Sequence, residues 1–232
     1  MTKKEERLQK QAKKLEDERA RLEKMQEFEH KYKEYTYICG IDEAGRGPLA
    51  GPVVAAAAVL PKEAEILYLN DSKKLTAKKR ESLFAEITQK ALAYGVGVAS
   101  AGRIDEINIL RATYEAMQKA LSALENSLGE KPGLLLIDAV HLPDTQIKQL
   151  SIIGGDAKSV SIAAASVIAK VSRDRMMEEY DLLYPQYGFS TNKGYGTAAH
   201  IEALRKYGSC PIHRKSFIGN FVSQEEEDGG EE

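Results

Sequence analysis

Three acidic residues stand where predicted strands end, and they are the side chains best suited to chemistry. Asp42 and Glu43 follow the short apolar run 37–41, whose β-branched members are typical of a buried strand. Asp138 follows the continuous apolar run 134–137, which is typical of a strand buried on both faces. Because α/β proteins bind ligands at the carboxyl edge of the sheet, we expect these carboxylates to face a ligand.

A fourth acid should come from the next element, for which Asp156 and Asp174 are the candidates. If a helix begins near residue 160, Asp174 lies about 14 residues along it, which is roughly 21 Å at ~1.5 Å per residue. Asp156 precedes that helix and follows two glycines, where the chain can still bend toward the sheet edge. We therefore place Asp156 in the cluster and expect Asp174 to pair on the surface with Lys170 or a neighbouring arginine.

Four carboxylates without a supporting Cys or His cluster favour Mg²⁺ or Mn²⁺ over Zn²⁺. Crowded carboxylates repel one another unless cations lie between them. Two such ions, ~4 Å apart, can activate water and stabilise the leaving oxygen of a phosphodiester. The acids therefore predict metal-dependent phosphate chemistry.

Two segments near the acids could bind phosphate. Gly45 and Gly47 flank Arg46, and glycines let the backbone approach a ligand closely because no Cβ intervenes. The polar loop 70–75 carries Lys73, which could bind phosphate, although on its own it is better explained as an ordinary surface lysine.

Strands interleaved with helices predict an α/β domain built on a largely central sheet. Strands are expected over 37–41, 53–60, 94–100, 134–137 and 150–153, with the first two forming a hairpin around the glycine-rich turn. Helices are expected after the capping residue Thr76 and over 104–128, 160–180 and 197–206. Small residues in the 160–180 helix should let it pack closely on the sheet.

Both ends of the chain differ from this pattern. Residues 1–34 are dominated by charged residues and Gln, with a thin apolar stripe, and predict a helix that is either solvated or binds a partner. We treat this helix as an appendage. Six acidic residues in the last eight give an acidic tail, which we expect to be disordered.

Charge and composition restrict the function. The net charge of the 232 residues is −2, and without the six tail acids it is +4, so contact with nucleic acid must be localised. The longest apolar runs are too short to span a bilayer, and no export signal is present. Two cysteines make no disulfide framework, so we expect a cytoplasmic protein.

Several motifs resemble those of the ribonuclease HII family. The first signature is GIDEAGRGPLAGPVV at 40–54. DSKKL at 71–75, LLID at 135–138, GDAK at 155–158, SIAAASVIAKVSRDR at 161–175, GYGT at 194–197 and HRKSF at 213–217 follow in the family's order. Together they cover roughly residues 37–222.

This resemblance implies a ribonuclease H-like fold, with a central mixed sheet flanked by helices and a helical extension at the C-terminal side. It divides the chain into a charged extension (1–34), a catalytic domain (35–222) and the acidic tail (223–232). The acidic tetrad would be Asp42, Glu43, Asp138 and Asp156, holding two Mg²⁺ or Mn²⁺ ions. The implied substrate-binding residues are Gly45, Arg46, Gly47, Lys73, Ser166, Lys170, Tyr195 and Arg214.

By resemblance, the substrates are RNA–DNA hybrids and duplex DNA containing ribonucleotides, cut on the 5′ side to leave a 3′-hydroxyl and a 5′-phosphate. Such an enzyme would remove embedded ribonucleotides and RNA primers. We expect a monomer, with a protein partner possible for residues 1–34. For His213, next to Arg214, we expect a structural role, since the metal mechanism needs no extra base.

Three other functions compete. Ribonuclease HIII usually carries a folded N-terminal domain, for which residues 1–34 are too short and too charged. A non-catalytic adaptor would hold a nucleic-acid duplex without cutting it, yet four acids hinder the binding of a polyanion. A small-molecule phosphotransferase is disfavoured because no phosphate-binding Gly-x-x-x-x-Gly-Lys-Ser/Thr loop is present.

Overall fold

A five-stranded mixed sheet forms the centre of residues 2–222, which a computed structural model of the chain describes. The strands are β1 (Ile38–Ala44), β2 (Val53–Val59), β3 (Ala93–Ala99), β4 (Leu134–Asp138) and β5 (Lys148–Ile152). Their order across the sheet is β3-β2-β1-β4-β5. The first three strands pair antiparallel, while β4 pairs parallel to β1 and β5 pairs parallel to β4. The predicted mixed sheet is therefore confirmed.

The central strand β1 carries two of the predicted acids. It runs past the predicted end because Asp42 and Glu43 still pair with Ala56 and Ala55 of β2. On its other side, β1 pairs in parallel with β4, with Ile41 opposite Ile137. This register brings Asp42 and Asp138 to the same edge of the sheet, as the strand assignments predicted.

Eight helices surround the sheet in the described part of the chain. They are α1 (Lys3–Met25), α2 (Glu27–Lys31), α3 (Ala77–Lys90), α4 (Ala101–Leu128), α5 (Val160–Leu183), α6 (Phe189–Asn192), α7 (Ala198–Tyr207) and α8 (Lys215–Ile218). In the described chain, no helix combines the length and the apolar character needed to cross a membrane.

The helices α4 and α5 cover opposite faces of the sheet, and small residues let both approach closely. A Cβ at Gly40 of β1 would lie 2.0 Å from the carbonyl carbon of Ser161 in α5. A Cβ at Gly97 of β3 would lie 2.0 Å from the carbonyl oxygen of Ala116 in α4. The prediction that α5 packs tightly on the sheet is confirmed, and this contact fixes the residues of α5 relative to β1.

The N-terminal helix does not behave as a free appendage. It breaks at Gln26, and its last turns pack on the domain, where Leu22 and Met25 are each only 4 % exposed. They join an apolar cluster with Ile66 and Leu69. In α2, the carboxylate of Glu29 accepts hydrogen bonds from the Ser159 hydroxyl (2.6 Å) and from the Ser161 N–H (3.0 Å). The interpretation of residues 1–34 as a solvated helix is therefore wrong for the stretch from Leu22 to the end of α2.

Other parts of the chain depart from simple periodicity. Leu92 and Leu110 are large apolar residues, yet their side chains are 51 % and 42 % exposed. Leu92 lies beyond the end of α3, and a positive φ of 68° at Asn108 kinks α4 just before Leu110. Between α5 and α7, residues 184–197 contain a turn of 3₁₀ helix and α6. The acidic tail predicted at 223–232 lies outside the described residues.

Candidate active site

The four predicted acids lie at the carboxyl edge of β1 and β4, and two of them are adjacent in β1. Asp42 is 4 % exposed, and its Oδ1 accepts a hydrogen bond from the Glu43 N–H at 2.7 Å. Burial raises the pKa of Asp42, and the negative charges of Glu43 and Asp138 raise it further. Burial likewise raises the pKa of Glu43. These carboxylates are therefore desolvated and repel one another.

The other two acids meet beside β4. The Asp138 Oδ1 accepts a hydrogen bond at 2.7 Å from the N–H of Gly155, which begins a short 3₁₀ turn after β5. That turn carries Asp156, which is 7 % exposed. Burial raises the pKa of Asp156, and the charges of Asp71 and Asp138 add to the effect. The two glycines before Asp156 thus allow the bend toward the sheet edge that the sequence indicated.

A fifth carboxylate, Asp71, also faces the cluster, although we did not select it from the sequence. Its own backbone context explains the placement, because Asp71 accepts a hydrogen bond from the Lys73 N–H at 2.9 Å and caps a 3₁₀ turn. An Asp side chain that accepts a hydrogen bond from the backbone N–H two residues later forms an Asx turn, which is a recognisable local motif. That motif, and the DSKKL sequence at 71–75, were the available signals for Asp71.

The cluster suits a divalent cation. The Oε2 atom of Glu43 is buried without any hydrogen-bond partner, although a buried carboxylate oxygen normally has one. The charges of the Asp42, Asp71, Asp138 and Asp156 carboxylates raise the pKa of the Lys73 ammonium against the opposing effect of burial. Within residues 2–222, no three Asp, Glu, His or Cys side chains converge closely enough to hold one ion. A metal ion would therefore have to draw these carboxylates together, and its positive charge would offset their mutual repulsion.

Asp174 lies away from this cluster, on α5, but it is not a surface residue. It is 9 % exposed, and its carboxylate pairs with Lys170 at 2.6 Å and with Arg80 at 3.6 Å. The predicted pairing with Lys170 is present, whereas the predicted surface location is wrong. The reason is that α3 packs on α5 and brings Arg80 over Asp174.

A cleft of about 530 Å³ opens beside the acids. Residues from six parts of the chain line it: Glu43, Ala44, Gly45, Arg46, Gly47, Ser72, Lys73, Ile109, Lys170, Tyr195 and Phe217. Seven of the predicted site residues are among them. We did not select Ile109 and Phe217 as site residues, because apolar residues of this kind usually belong to a core.

The predicted glycine loop and Tyr195 are neighbours in this cleft. A Cβ added to Gly47 would lie 3.9 Å from the Cε1 atom of Tyr195, and Tyr195 is 46 % exposed. Gly45 has a φ of +96°, and a Cβ there would lie 2.1 Å from Nε of Arg173. Only glycine fits at position 45. The backbone of the 45–47 loop and the exposed ring of Tyr195 therefore face the same part of the cleft.

Two buried arginines hold this loop, and one of them corrects a prediction. Arg214, which we expected to contact the substrate, is fully buried. Its guanidinium donates to the carbonyl oxygens of Gly51 (3.0 Å), Arg46 (2.8 Å) and Gly45. Arg173 donates similarly to the carbonyls of Pro52, Ala50 and Lys193. In this arrangement Arg214 shapes the loop instead of facing the cleft.

The remaining predicted contacts have mixed placements. Lys73 and Lys170 line the cleft, but the Lys170 ammonium is paired with Asp174. Ser166 is 3 % exposed, and its hydroxyl lies 2.8 Å from the Ser72 hydroxyl. When the single proton of Ser166 is donated to Asp42 instead, it opposes the rise in the pKa of that carboxyl. Ser166 therefore supports an acid and the 72–74 turn from below the cleft.

Comparisons with known proteins identify the family of this chain. The family model described as Ribonuclease HII matches residues 39–220. A "Ribonuclease HII" from Lachnoclostridium phytofermentans is 61 % identical over 210 residues, which are 90 % of this chain and 81 % of the relative. Another from Caldanaerobacter subterraneus subsp. tengcongensis is 56 % identical over 206 residues, covering 88 % of this chain and 84 % of the relative.

A solved structure is similar in fold. The ribonuclease H2 from Pyrococcus horikoshii superposes with a TM-score of 0.64 at 29 % identity, covering 78 % of this chain and 93 % of that one. The motifs, the mixed sheet and the matched residues thus lead to one conclusion. This chain belongs to the ribonuclease HII family.

Proposed function

We propose that this endoribonuclease of the ribonuclease H type hydrolyses the RNA strand of RNA–DNA hybrids and cuts duplex DNA on the 5′ side of embedded ribonucleotides. The products would carry a 3′-hydroxyl and a 5′-phosphate, which suits the removal of ribonucleotides and RNA primers from DNA. One observation carries the proposal: Glu43, one of the clustered acids and the neighbour of the desolvated Asp42, lines a cleft that also contains the 45–47 loop and Tyr195.

The proposed metal ligands are Asp42, Glu43, Asp138 and Asp156. Their burial, their mutual repulsion and the unpartnered Oε2 of Glu43 support this assignment. Two Mg²⁺ or Mn²⁺ ions, when bound, would supply an activated water and Lewis-acid stabilisation of the leaving oxygen. The carboxylates would provide only oxygen ligands, which both of these cations prefer.

The residues of the cleft account for recognition of RNA. The chemical difference at the cut is one 2′-hydroxyl, which both donates and accepts a hydrogen bond. The Gly45–Gly47 backbone can offer matching groups at close range, and the Tyr195 ring can stack on the next sugar while its hydroxyl meets the 2′-OH. Arg46, Lys73 and Lys170 would contact phosphates near the cut.

The burial of the acids argues against a non-catalytic adaptor. A protein that only holds a polyanion would bind it better without desolvated carboxylates in the contact surface. Ribonuclease HIII is disfavoured, since the family model that matches residues 39–220 and the two relatives described above are of ribonuclease HII. A monomeric, cytoplasmic protein remains our prediction, with both cysteines as free thiols in the described chain.

Cleavage of three end-labelled duplexes tests the proposed function. One is DNA with a single ribonucleotide, one is an RNA–DNA hybrid and one is DNA alone, each with Mg²⁺, Mn²⁺ or EDTA. We expect cleavage of the first two with either metal, on the 5′ side of the ribonucleotide, and none with EDTA. Cleavage in EDTA, or equal cleavage of the all-DNA duplex, would contradict the proposal.

A further inference from the structure

Two buried histidines lie directly beneath the segment that carries Tyr195. His200, in the first turn of α7, is fully buried, and His213 is 3 % exposed. Their rings contact the aromatic rings of Tyr187 and Phe189 in the small C-terminal core. A buried polar ring in apolar surroundings requires hydrogen-bond partners. The identity of those partners shows what the pair does.

The hydrogen bonds form one directional chain. The N–H of Cys210 donates to Nδ1 of His213 at 2.9 Å, so this nitrogen must carry a lone pair. Neutral His213 therefore has its proton on Nε2, which lies 3.0 Å from Nε2 of His200. His200 must accept there, which leaves its proton on Nδ1, 2.9 Å from the carbonyl oxygen of Tyr195. One pair of tautomers satisfies every atom.

This series of hydrogen bonds ends at Tyr195, which lines the cleft, and begins next to Arg214, which binds the 45–47 loop. The Tyr195 carbonyl also accepts from the Thr197 N–H at 2.8 Å, so two donors fix this peptide. His213 precedes Arg214, whose guanidinium holds the 45–47 loop. Segment 210–214 is therefore linked by hydrogen bonds both to Tyr195 and to the 45–47 loop. These two parts form the surface that we propose to recognise the 2′-hydroxyl.

We propose that His200 and His213 are positioning residues: as a neutral, tautomer-matched pair they hold the Tyr195 backbone so that its ring faces Gly47. The inference rests on the proposed function of Tyr195 in reading the ribonucleotide. Burial lowers the pKa of both imidazoles, which keeps the pair neutral as the hydrogen-bond chain requires. Neither ring reaches the cleft, so neither is a catalytic residue.

Nitrogen NMR of the full chain labelled with ¹⁵N-histidine tests the pair without reference to cleavage. We expect two neutral imidazoles at pH 7, His200 protonated on Nδ1 and His213 protonated on Nε2, assigned by their loss in His200→Asn and His213→Gln. The opposite tautomer for either ring, or a charged imidazole, would overturn the proposal.

A double-mutant cycle tests the link to Tyr195. His200→Ala should slow single-turnover cleavage at one embedded ribonucleotide about fivefold, the value for losing a hydrogen bond of ~1 kcal/mol, and His200→Asn should recover part of the rate because its amide can still donate. In a Tyr195→Ala background the same change should have less than about a twofold effect, since the positioned ring is gone.

Leu204→Ala is the matched control, because Leu204 is buried in the same C-terminal core and makes no hydrogen bond to Tyr195. Its effect on the rate should be equal in both backgrounds. An equal effect of His200→Ala in both backgrounds would overturn the positioning role. If the parent protein cut no ribonucleotide, the proposed function would fail, whereas the NMR experiment would still decide the state of the pair.

Discussion

Replacing Arg214 with methionine should destabilise the domain and disable the cleft together. The change keeps most of the aliphatic volume but removes three donors to the carbonyls of Gly45, Arg46 and Gly51. Leaving a buried carbonyl unsatisfied costs about 1–3 kcal/mol, so three of them cost about 3–6 kcal/mol after the loop relaxes. That is a large part of the ~5–15 kcal/mol that stabilises a typical domain.

Urea unfolding followed by circular dichroism measures this cost, and single-turnover cleavage by folded protein measures the effect on the loop. Arg175→Met is the matched control, because Arg175 pairs with Glu81 at 2.6 Å where both side chains are 50 % exposed. An exposed pair contributes less than about 1 kcal/mol. An Arg214→Met protein with the parent's urea midpoint would refute the claim that the hydrogen bonds of Arg214 stabilise the domain. If that protein also lost duplex binding, Arg214 would be a substrate contact, as the sequence first indicated.

Three further predictions concern recognition, the N-terminal helix and pH. Tyr195→Ala should lower the single-turnover rate at one ribonucleotide by more than it weakens duplex binding, with Tyr195→Phe between them because it loses one hydrogen bond of ~1 kcal/mol; an unchanged rate in Tyr195→Ala would place recognition elsewhere. Deleting residues 2–34 should lower the unfolding free energy by about 3–6 kcal/mol, since Leu22 and Met25 lose their burial; an unchanged urea midpoint would contradict the packing of α1. Burial and His200 lower the pKa of His213 to about 4 from its ordinary 6.5, so the unfolded chain binds the extra proton and stability falls as pH drops from 6.5 to about 4. His213→Gln should remove up to ~3 kcal/mol of that fall, measured as the difference between the two stability–pH curves; parallel curves would refute it.

The strand ends and the first acids could be predicted because local patterns determine them. Apolar runs that stop at Asp42 and Asp138 specify both the strand and the carboxylate at its edge. The placement of Asp156 followed from two glycines and a helix start, which are also local. Such features need no knowledge of distant contacts.

The buried arginines could not be predicted from the sequence. Arg173 and Arg214 stand in charged segments that are typical of a surface, and only contacts with carbonyls more than 100 residues away show that they are buried, as for Pro52 and Gly51. Asp174 was misplaced for the same reason, since its partner Arg80 comes from another helix. The apolar stripe of α1 gave no sign of which surface would cover it.

Cleavage by aspartate variants tests the central claim most directly, namely that the four clustered carboxylates form the metal-dependent catalytic centre. Single-turnover rates on duplex DNA with one ribonucleotide would be measured for Asp42→Asn, Asp156→Asn and Asp174→Asn in Mg²⁺. We predict a loss of roughly a thousandfold or more for the first two, which corresponds to ~4 kcal/mol of transition-state stabilisation, with duplex binding retained. Asp174→Asn should keep most of the activity, since Asp174 pairs with Lys170 and Arg80 outside the cluster. Near-parental cleavage by Asp42→Asn, or a greater loss in Asp174→Asn than in Asp156→Asn, would contradict the account.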